Sequence, residues 1–352
     1  MTTMSIMNPF CMKLIQAIFL ICLVFQEDQL VCSKEAVRCI QSERQALLQF
    51  KSGLVDDFGM LSSWKTEDCC QWKGIGCSNV TGHVLRLDLH GDFDYSYYYY
   101  DANKFYIRGD IHKSLMELQQ LQYLNLSRNN FEKSYIPGFI GSLRNLRYLD
   151  LSYCNFGGQI PIPLKSLSHL KYLDLSKNIL DGLIPHQLGD LSNLQFLDLS
   201  NNALEGSVPS QLGELMNLQE LYLEGGYSDS ALTIDNEEHS GGQWLSNLTS
   251  LTHLHMLSIS NLDKFNSWFQ MVGKLPKLRE LSLSNCNLSD HFIQSLSHSK
   301  FNFSTSLSIL DLSVNNFASS LMFLWVSNIS SNLVELDLSS NLWRILRHMD
   351  MA

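Results

Sequence analysis

Residues 170–193 and 194–217 carry nearly the same sequence twice in succession. The first stretch reads LKYLDLSKNILDGLIPHQLGDLSN and the second reads LQFLDLSNNALEGSVPSQLGELMN. Leucines, an asparagine, a glycine and an Ile-Pro or Val-Pro pair recur at fixed offsets in both. A constant period of about 20–50 residues indicates one small structural unit stacked many times, so the chain is constrained to an elongated repeat architecture.

The same pattern continues on both sides of this pair. A first, degenerate copy begins at Val84. The later copies begin 24–33 residues apart, at Leu121, Leu146, Leu170, Leu194, Leu218, Leu251, Leu278, Leu307 and Leu333. About ten leucine-rich repeats are therefore predicted over residues 84–343, with irregular copies within 218–277.

Each position of the repeat has a physical reason. In the copy that starts at Leu170, the alternating Leu173 and Leu175 point to one side of a short strand. Asn178 lies where the chain leaves the strand, so its amide can bond backbone groups of the neighbouring turns. One repeat cannot bury its leucines alone, but stacking creates a continuous core. We predict an α/β solenoid, a right-handed leucine-rich-repeat superhelix with a parallel concave sheet.

Two isolated cysteines fit this repeat. Cys154 and Cys286 occupy the position that Asn178 holds in its own copy. That position of the repeat accepts Asn or Cys. We predict that both are buried, unpaired thiols rather than redox or metal-binding groups.

Residues 34–83 precede the repeats and are predicted to cap them, because an open solenoid end exposes its core. Ser42 with Gln45 three residues later predicts a capping box at a helix start. The apolar face predicted for this helix comprises Ala46, Leu47, Phe50 and Leu54. Trp64 and Trp72 are available to cover the leucines of the first repeat.

Four cysteines fall within this cap, namely Cys39, Cys69, Cys70 and Cys77. Four cysteines allow three pairings. The adjacent pair is not expected to bond to itself, which leaves two pairings. We favour Cys39–Cys69 with Cys70–Cys77, so the helical N-terminal cap is predicted to be disulfide-stapled, each bond stabilising it by about 2–4 kcal/mol.

The N-terminus predicts secretion. Lys13 precedes the apolar run 14–25, which is too short to span a membrane and typical of a signal peptide. We predict a signal peptide over residues 1–33, with an uncleaved anchor as the alternative. Entry into the secretory pathway is consistent with the cap disulfides.

Composition and motifs exclude several functions. The formal net charge is −10, and no basic stripe is present to neutralise phosphates, so nucleic acid is not an expected partner. The sequence contains no G-x-S-x-G, P-loop, H-E-x-x-H or kinase signature. The aspartates that recur at one repeat position reflect the repeat and not a catalytic dyad: Asp150, Asp174, Asp198, Asp311 and Asp337. We predict that the chain is not an enzyme and needs no metal or cofactor.

The concave face is the candidate binding surface. The residue two places after the first leucine is aromatic in four successive copies, which would form a row about 5 Å apart. The ligand-binding candidates are this row and its polar rim: Tyr123, Tyr148, Tyr172, Phe196, Arg128, Tyr153 and Lys177. Asn201 continues the rim. Two interpretations remain open, that the row recognises a ligand or that neighbouring rings only shield each other.

Three further features interrupt the repeats. The tyrosine-rich segment 91–106 is interpreted as a surface insertion, either disordered or in contact with a ligand. The irregular copies carry insertions that lie on one face and either bind or form solvated bulges. His253 and His255 lie on one strand face, where a metal-binding or pH-sensing pair is the lesser interpretation.

The chain also contains six predicted glycosylation acceptors in N-x-S/T sequons. These are Asn79, Asn125, Asn247, Asn287, Asn302 and Asn328. Asn125 is the weakest of them, because its repeat position points into the concave groove.

The cap and repeats together resemble those of one protein family. The segment CIQSERQALLQFKSGLVDDFGMLSSWKTEDCCQWKGIGCSNVTGHVLRLDLHG is similar to the N-terminal cap of plant leucine-rich-repeat receptor-like proteins. The LSxNxLxGxIP turns resemble the plant-specific type of repeat. The segment LPKLRELSLSNCNLSD is most similar to the group containing the fungal-xylanase elicitor receptors. The resemblance covers roughly residues 37–343.

The resemblance implies the N-terminal part of an extracellular recognition ectodomain. Such receptors act in plant defence or development, bind a protein, peptide or glycan, and signal through receptor-like kinase co-receptors. A full-length receptor would lie at the plasma membrane, whereas a complete chain ending in the truncated tail 344–352 would accumulate in the apoplast. The alternatives are a secreted inhibitor of microbial cell-wall-degrading enzymes, similar to polygalacturonase inhibitors, and a truncated receptor decoy.

Overall fold

The computed structural model describes residues 38–92, 106–226, 232–234, 243–264, 270–297, 306–329 and 332–342. The chain divides into two units, Met1–Arg38 and Cys39–Ala352, and every element named below belongs to the second. Our predictions for the signal peptide 1–33, for most of the insertion 91–106 and for the tail 344–352 lie outside the described residues.

The regular structure consists of short strands, α-helices and 3-10 helices. In chain order the strands are β1 (Leu54–Val55), β2 (Ile75–Cys77), β3 (Val84–Asp88), β4 (Arg108–Gly109), β5 (Tyr123–Asn125), β6 (Tyr148–Asp150), β7 (Gly157–Gly158), β8 (Tyr172–Asp174), β9 (Ile179–Leu183), β10 (Phe196–Asp198), β11 (Ala203–Val208), β12 (Glu220–Glu224), β13 (Leu232–Ile234), β14 (His253–Leu257), β15 (Glu280–Ser282), β16 (Ile309–Asp311) and β17 (Glu335–Asp337). The α-helices whose bounds lie within the described residues are α1 (Gln41–Ser52), α2 (Asp290–Ser297) and α3 (Leu321–Ile329).

An 11-stranded sheet forms the concave wall, in the order β17-β16-β15-β14-β12-β10-β8-β6-β5-β3-β2. Its strands pair in parallel from β3 onwards, and β2 adds to β3 in antiparallel. The register is constant between repeats, so Tyr148 pairs with Tyr123 on one side and Tyr172 on the other. Equivalent residues of successive repeats therefore form straight columns across the sheet.

The leucines that define the repeat form one core. Leu170, Leu173 and Leu175 have no exposed surface, and the corresponding leucines of the neighbouring copies are equally buried. Each such side chain stabilises the fold by roughly 1.5–3 kcal/mol relative to an exposed one. The predicted leucine-rich-repeat solenoid is confirmed.

The convex side of the regular repeats is built from short 3-10 helices. These are Lys113–Glu117, Gly138–Ser142, Ile162–Ser166, His186–Asp190, Ser210–Glu214 and Gln243–Asn247, with Cys69–Gln71 in the cap and Leu262–Lys264 in the seventh repeat. Proline stands at the N-cap of several, for example Pro185 at φ −64°, because its ring favours the extended entry to the helix. A second parallel sheet, β13-β11-β9-β7, follows the ladder position in four successive repeats.

The asparagine ladder satisfies backbone groups between the repeats. Asn178 Nδ2 donates to the carbonyls of Leu151 and Leu175, at 2.8 Å and 3.0 Å. Its Oδ1 accepts from the amides of Cys154 and Phe156, each at 3.0 Å. One buried amide thus bonds two copies of the repeat, as predicted.

Cysteine takes over only the donor role of this asparagine. Cys154 Sγ lies 2.9 Å from the carbonyl of Leu126, and Cys286 Sγ lies 3.0 Å from the carbonyl of Met256. Both thiols are free and fully buried, which confirms the prediction. Burial raises the pKa of the Cys154 thiol and raises that of Cys286 to about 12, so both remain protonated and unreactive.

The irregular sixth and seventh repeats replace the ladder differently. Glu224 is buried, and its Oε2 accepts from the amide of Asn201 at 2.9 Å. Ile259 occupies the ladder position without a polar group, and Asn261 bonds both backbone groups of Ile234 at 2.8 Å instead. The ladder continues because the amide function moves two residues along the chain.

The cap helix α1 begins earlier than the predicted capping box. Its N-cap is Ile40, which makes no side-chain capping bond, so the assignment of Ser42 as the cap is wrong. The physical reason lies at Glu43, which is buried and accepts from the amide of Val84 at 2.7 Å while its other oxygen contacts His83 Nδ1 at 2.8 Å. These bonds attach the first turn to the first repeat.

The cap covers the first repeat as the sequence predicts. Ala46, Leu47 and Phe50 are buried on one face of α1, whereas Leu54 lies beyond the helix in β1 and pairs with Gly109. The structure forms the favoured disulfides, Cys39–Cys69 and Cys70–Cys77. Trp64 and Trp72 are buried and stacked, with ring centroids 5.1 Å apart.

Candidate ligand-binding face

The concave sheet presents side chains in two parallel columns. Because side chains alternate along a strand, the first and third residues of each three-residue strand point into the groove. The first column begins at Arg86 and continues through the predicted aromatic row. The second begins at Asp88 and contains Asn125 and then the repeated aspartates. The candidate site is the groove above these two columns.

The aromatic row is a continuous stack. Neighbouring ring centroids are 4.2 Å apart along the row Tyr123, Tyr148, Tyr172 and Phe196. The planes of neighbouring rings are inclined by only 8–9°. The rings cover one another's faces and stay half-buried. What faces the groove is therefore a strip of ring edges and phenol hydroxyls, so a ligand cannot stack on the ring faces.

Both ends of the stack are closed by side chains that were not predicted to belong to the aromatic row. The Arg86 guanidinium lies 3.7 Å from the ring centroid of Tyr123, a cation–π contact. At the other end Tyr222 is tilted against Phe196 with centroids 5.5 Å apart, and His255 lies 4.6 Å beyond Tyr222. In the degenerate first copy, Arg86 stands two residues after Val84, which is the offset of the row residues. This offset could have identified Arg86 from the sequence.

The second column is a row of carboxylates tied to the backbone. Asp174 Oδ1 accepts from the amide of Ser176 at 2.9 Å and from its hydroxyl at 2.6 Å. Asp150 and Asp198 make the same bonds to Ser152 and Ser200. Each aspartate is therefore held in a fixed orientation beside the stack.

These carboxylates influence one another. Burial and the neighbouring charges of Asp198 and Asp150 raise the pKa of Asp174 to about 7, although its serine bonds oppose the shift. Burial also raises the pKa of Asp198. Burial and nearby carboxylates raise the pKa of the Tyr148 and Tyr172 phenols, so both hydroxyls stay protonated and can donate.

The opposite wall of the groove is polar and cationic. Arg128, Tyr153 and Lys177 occupy equivalent places just before the ladder residue, and each has a positive φ of 54–59°. The Lys177 ammonium lies 4.5 Å from the Tyr153 ring centroid. All seven candidate residues thus lie along one concave surface.

The groove between these walls has a volume of about 650 Å³. Its lining extends from Arg86 to Asp198, which spans five strands of the concave sheet. With strands about 4.8 Å apart, this part of the groove is roughly 20 Å long.

The predicted glycosylation acceptors differ in accessibility. Asn79, Asn247 and Asn287 are exposed. Asn125 is 8% exposed, and its Oδ1 accepts from the amide and hydroxyl of Ser127, so the folded groove does not present it for modification. Asn302 and the side chain of Asn328 lie outside the described residues.

Two features of the described residues bear on other predictions. No helix there is long and apolar enough to cross a membrane. The three cysteines Cys39, Cys69 and Cys70 lie close enough together to resemble a metal cluster, but all three are in disulfides.

Comparison with known proteins assigns the family. Residues 146–350 match the family model of a leucine-rich repeat region, residues 120–143 match a single leucine-rich repeat, and residues 40–78 match the leucine-rich repeat N-terminal domain. The chain belongs to the leucine-rich repeat family. Within it, the chain is similar to plant receptor-like proteins.

The relatives show how much of a receptor this leucine-rich repeat chain covers. Receptor-like protein EIX1 of Solanum lycopersicum is 36% identical over 337 residues, which is 94% of this chain and 26% of the relative. The chain therefore spans about a quarter of the length of the curated relatives it matches.

Solved structures confirm the architecture. The Arabidopsis receptor kinase HAESA, in complex with the peptide hormone IDA and the co-receptor SERK1, is 26% identical with a TM-score of 0.56, covering 86% of this chain and 50% of that one. A plant ice-binding protein is 25% identical with a TM-score of 0.64, covering 86% and 87%. The chain thus has the fold of plant leucine-rich-repeat ectodomains, several of which bind peptide ligands.

Proposed function

We propose that this chain is the ligand-recognition part of a plant receptor-like protein acting in defence or development. Its ligand is an extracellular protein, peptide or glycan, and an extended peptide segment fits the groove best. The role involves no catalytic step. The single observation that supports the proposal is the stacked row from Tyr123 to Phe196 beside a polar groove.

The shape of the groove supports a peptide. A length of roughly 20 Å accommodates about six residues of extended chain at about 3.3 Å each. The hydroxyls and carboxylates on the floor and the cations on the rim offer donors and acceptors to a peptide backbone. The stack is rigid, so little side-chain entropy is lost when a ligand binds.

The proposed location and partners follow from the relatives. The full-length protein would expose this ectodomain at the plasma membrane, where receptor-like kinases act as co-receptors. HAESA, which the chain resembles, was solved with such a co-receptor. The similarity to EIX1 supports the receptor-like role.

A peptide-library experiment tests this proposal. Random peptides selected on the immobilised chain are synthesised, and their Kd is measured by titration. We expect Tyr148→Ala combined with Tyr172→Ala to weaken binding at least tenfold. Lys177→Asn should also weaken it, because the substitution removes a cation from the rim of the groove. The backbone should be unaffected, since Asn201 adopts the same left-handed conformation in the next repeat.

The matched control is Lys165→Asn, which removes an exposed lysine from the convex side. It should leave the Kd unchanged. If the selected peptides bind the variants with concave-face substitutions as tightly as they bind the parent chain, the groove is not the binding site. If no peptide is selected and the chain binds selectively on a glycan array, the ligand is a glycan and not a peptide.

A further inference from the structure

The groove on the concave face carries opposite charges at its two ends. The end nearest the cap, which we call the cap end, is lined by the first two repeats and has two arginines, Arg86 and Arg128, against one aspartate, Asp88. The distal end is lined by the next three repeats. Among its described lining residues, three aspartates stand against one lysine: Asp150, Asp174, Asp198 and Lys177. The sign of the charge therefore changes along the length of the groove.

The single carboxylate of the cap end is already neutralised. Asp88 pairs with the Arg86 guanidinium, and its Oδ1 lies 2.7 Å from His90 Nδ1. Although burial opposes the shift, the hydrogen bonds from His90 and Arg86 lower the pKa of Asp88. The next strand places the uncharged Asn125 in the carboxylate column. The cap end therefore keeps a net positive charge, with Arg128 exposed at its rim.

The carboxylates of the distal end lack such compensation. Asp150, Asp174 and Asp198 lie side by side on consecutive strands. Burial and the charges of Asp198 and Asp150 raise the pKa of Asp174 to about 7. Among the described residues that line this end, Lys177 alone is basic, and its ammonium lies 4.5 Å from the ring centroid of Tyr153. A positive group placed in the groove would relieve the repulsion between these carboxylates.

The separation of the two ends matches an extended peptide. The cap end covers two strands of the concave sheet and the distal end covers three, so their centres are about two and a half strands apart. At about 4.8 Å per strand, the distance is roughly 12 Å. This corresponds to about four residues of extended chain at about 3.3 Å each, and residues four apart point to the same side of such a chain.

We propose that the groove selects an extended peptide with a basic and an acidic side chain about four residues apart. The basic side chain lies against Asp150, Asp174 and Asp198, and the acidic side chain lies against Arg86 and Arg128. Complementary charges at two places fix the register and the orientation of the bound chain. This ligand is a narrower form of the peptide in the proposed function, on which the proposal rests.

Four libraries of synthetic seven-residue peptides test the charge pattern. All have blocked ends, two fixed positions four residues apart and random uncharged residues elsewhere. The fixed pair is Lys with Glu in both orders in the first library, two lysines in the second, two glutamates in the third and two glutamines in the fourth. Binding to the immobilised chain is measured at pH 8, above the pKa of Asp174. We expect the Lys/Glu library to be retained about fivefold or more over each of the others.

Two substitutions assign each charge to its end of the groove. Asp174→Asn preserves the shape of the column, which already contains Asn125. Arg128→Asn preserves the left-handed backbone, which Asn201 adopts at the same repeat position. For the tightest Lys/Glu peptide, Asp174→Asn should reduce the preference for Lys over Gln about threefold or more and retain the preference for Glu over Gln. Arg128→Asn should do the reverse.

The matched controls remove the same charges outside the groove. Asp181→Asn and Lys165→Asn change exposed residues that do not line it, and they alter the net charge of the chain as the two test variants do. Both preferences should therefore stay as in the parent chain. A test variant that merely disturbs the fold would weaken all peptides alike, so the separate loss of one preference reports a charge contact.

The possible failures separate this proposal from the proposed function. Equal retention of all four libraries would overturn the charge pattern and leave the groove as a peptide site. Stronger retention of the two-lysine or two-glutamate library would also overturn it, and so would test variants that keep both preferences or weaken them equally. If the chain retains none of the libraries, both the charge pattern and the peptide ligand of the proposed function are wrong.

Discussion

The residue just before the ladder position adopts a left-handed conformation in eight of the ten repeats. Positive φ values occur there at Arg128, Tyr153, Lys177, Asn201, Ser258, Asn285, Val314 and Ser340. The conformation directs the N–H towards the next repeat, as Lys177 N donates to the Ser200 carbonyl at 2.9 Å. Non-glycine residues adopt it at a cost, which is smallest for asparagine and largest for β-branched side chains.

Val314 is therefore a strained residue, and replacing it should stabilise the protein. Its φ is 55° and its side chain is 46% exposed, so little packing is lost on substitution. We expect Val314→Asn to raise the free energy of unfolding by about 1 kcal/mol. Urea denaturation measures this change.

Val334→Asn serves as the control, because Val334 is 86% exposed and is not among the residues with positive φ. It should change stability by less than about 0.5 kcal/mol. An equal gain from both substitutions would show that the effect comes from surface polarity rather than from backbone strain.

At this scale the sequence identified positions better than conformations. The offset from the first leucine was enough to place Cys154 and Cys286 in the ladder, because the segment between that leucine and the ladder residue has the same length in both repeats. The left-handed residues carry unrelated side chains, such as Arg128 and Val314, so no residue type indicated them. The role of Asn261 was missed because it stands two places after the expected ladder residue.

Among the elements, the column of aspartates beside the stack carries an electrostatic cost. Asp150, Asp174 and Asp198 lie on consecutive strands of the concave sheet, and their charges repel. Asn125 occupies the same column and makes the same bonds to its serine without a charge. The column therefore does not need its charges to form, and ionisation of the aspartates destabilises the folded protein.

Stability should fall as the pH rises from about 4 to about 7. The pKa of Asp174 is raised to about 7 in the folded state against 3.8 ordinarily, so the folded state binds the proton more tightly. The resulting stabilisation is complete below about pH 4 and is lost progressively up to about pH 7. We expect Asp174→Asn to remove this dependence and to stabilise the protein by about 1–3 kcal/mol at pH 8.

Thermal unfolding measured from pH 4 to pH 8 checks this prediction. Asp181→Asn is the control, since Asp181 is exposed on β9 and away from the column. It should leave the pH profile of the parent chain unchanged. An Asp174→Asn profile that still falls between pH 4 and pH 7 would show that other groups dominate.

The sequence predicted the elements of the regular repeats, but not the features that depend on particular side-chain contacts. The aromatic row could be read from Tyr123, Tyr148, Tyr172 and Phe196 because strand period and repeat period are both fixed. Face-to-face stacking could not, since it depends on side-chain rotamers. The start of α1 was misplaced because the bonds of Glu43 to a distant strand, rather than a local capping box, determine it.

At the scale of the whole molecule, each repeat contacts chiefly its neighbours, so stability is distributed along one axis. The N-terminal end is closed by α1 and two disulfides. Along the axis, the ladder asparagine is replaced by cysteine at Cys154 and Cys286, by Glu224 in the sixth repeat and by Asn261 in the seventh. Damage at one end should therefore remain local.

Removing the cap disulfides should destabilise the cap selectively. The Cys39–Cys69 bond spans 30 residues and the Cys70–Cys77 bond spans 7, so the first constrains the unfolded chain more. We expect the paired serine variants to cost about 3–4 and about 2–3 kcal/mol respectively. Hydrogen exchange should show lost protection in α1 while the strands around Leu173 stay protected.

Ser62→Ala, at an exposed position of the same cap, is the control and should leave exchange unchanged. Uniform loss of protection along all repeats would contradict local behaviour and indicate that the solenoid unfolds as one unit. The sequence predicted the position and chemistry of this cap, because cysteine spacing is local information. It could not determine how far the cap's influence extends, which depends on coupling between the repeats.

The constant register of the concave sheet has an evolutionary consequence. Tyr148, Tyr172 and Phe196 hold the same backbone place in successive units of 24 residues. Duplicating or deleting one such unit in the gene would lengthen or shorten the groove by one strand spacing, about 4.8 Å, and leave its walls unaltered. Descendants of this chain would thus acquire ligands of a different length by a change in copy number, before any side chain mutates.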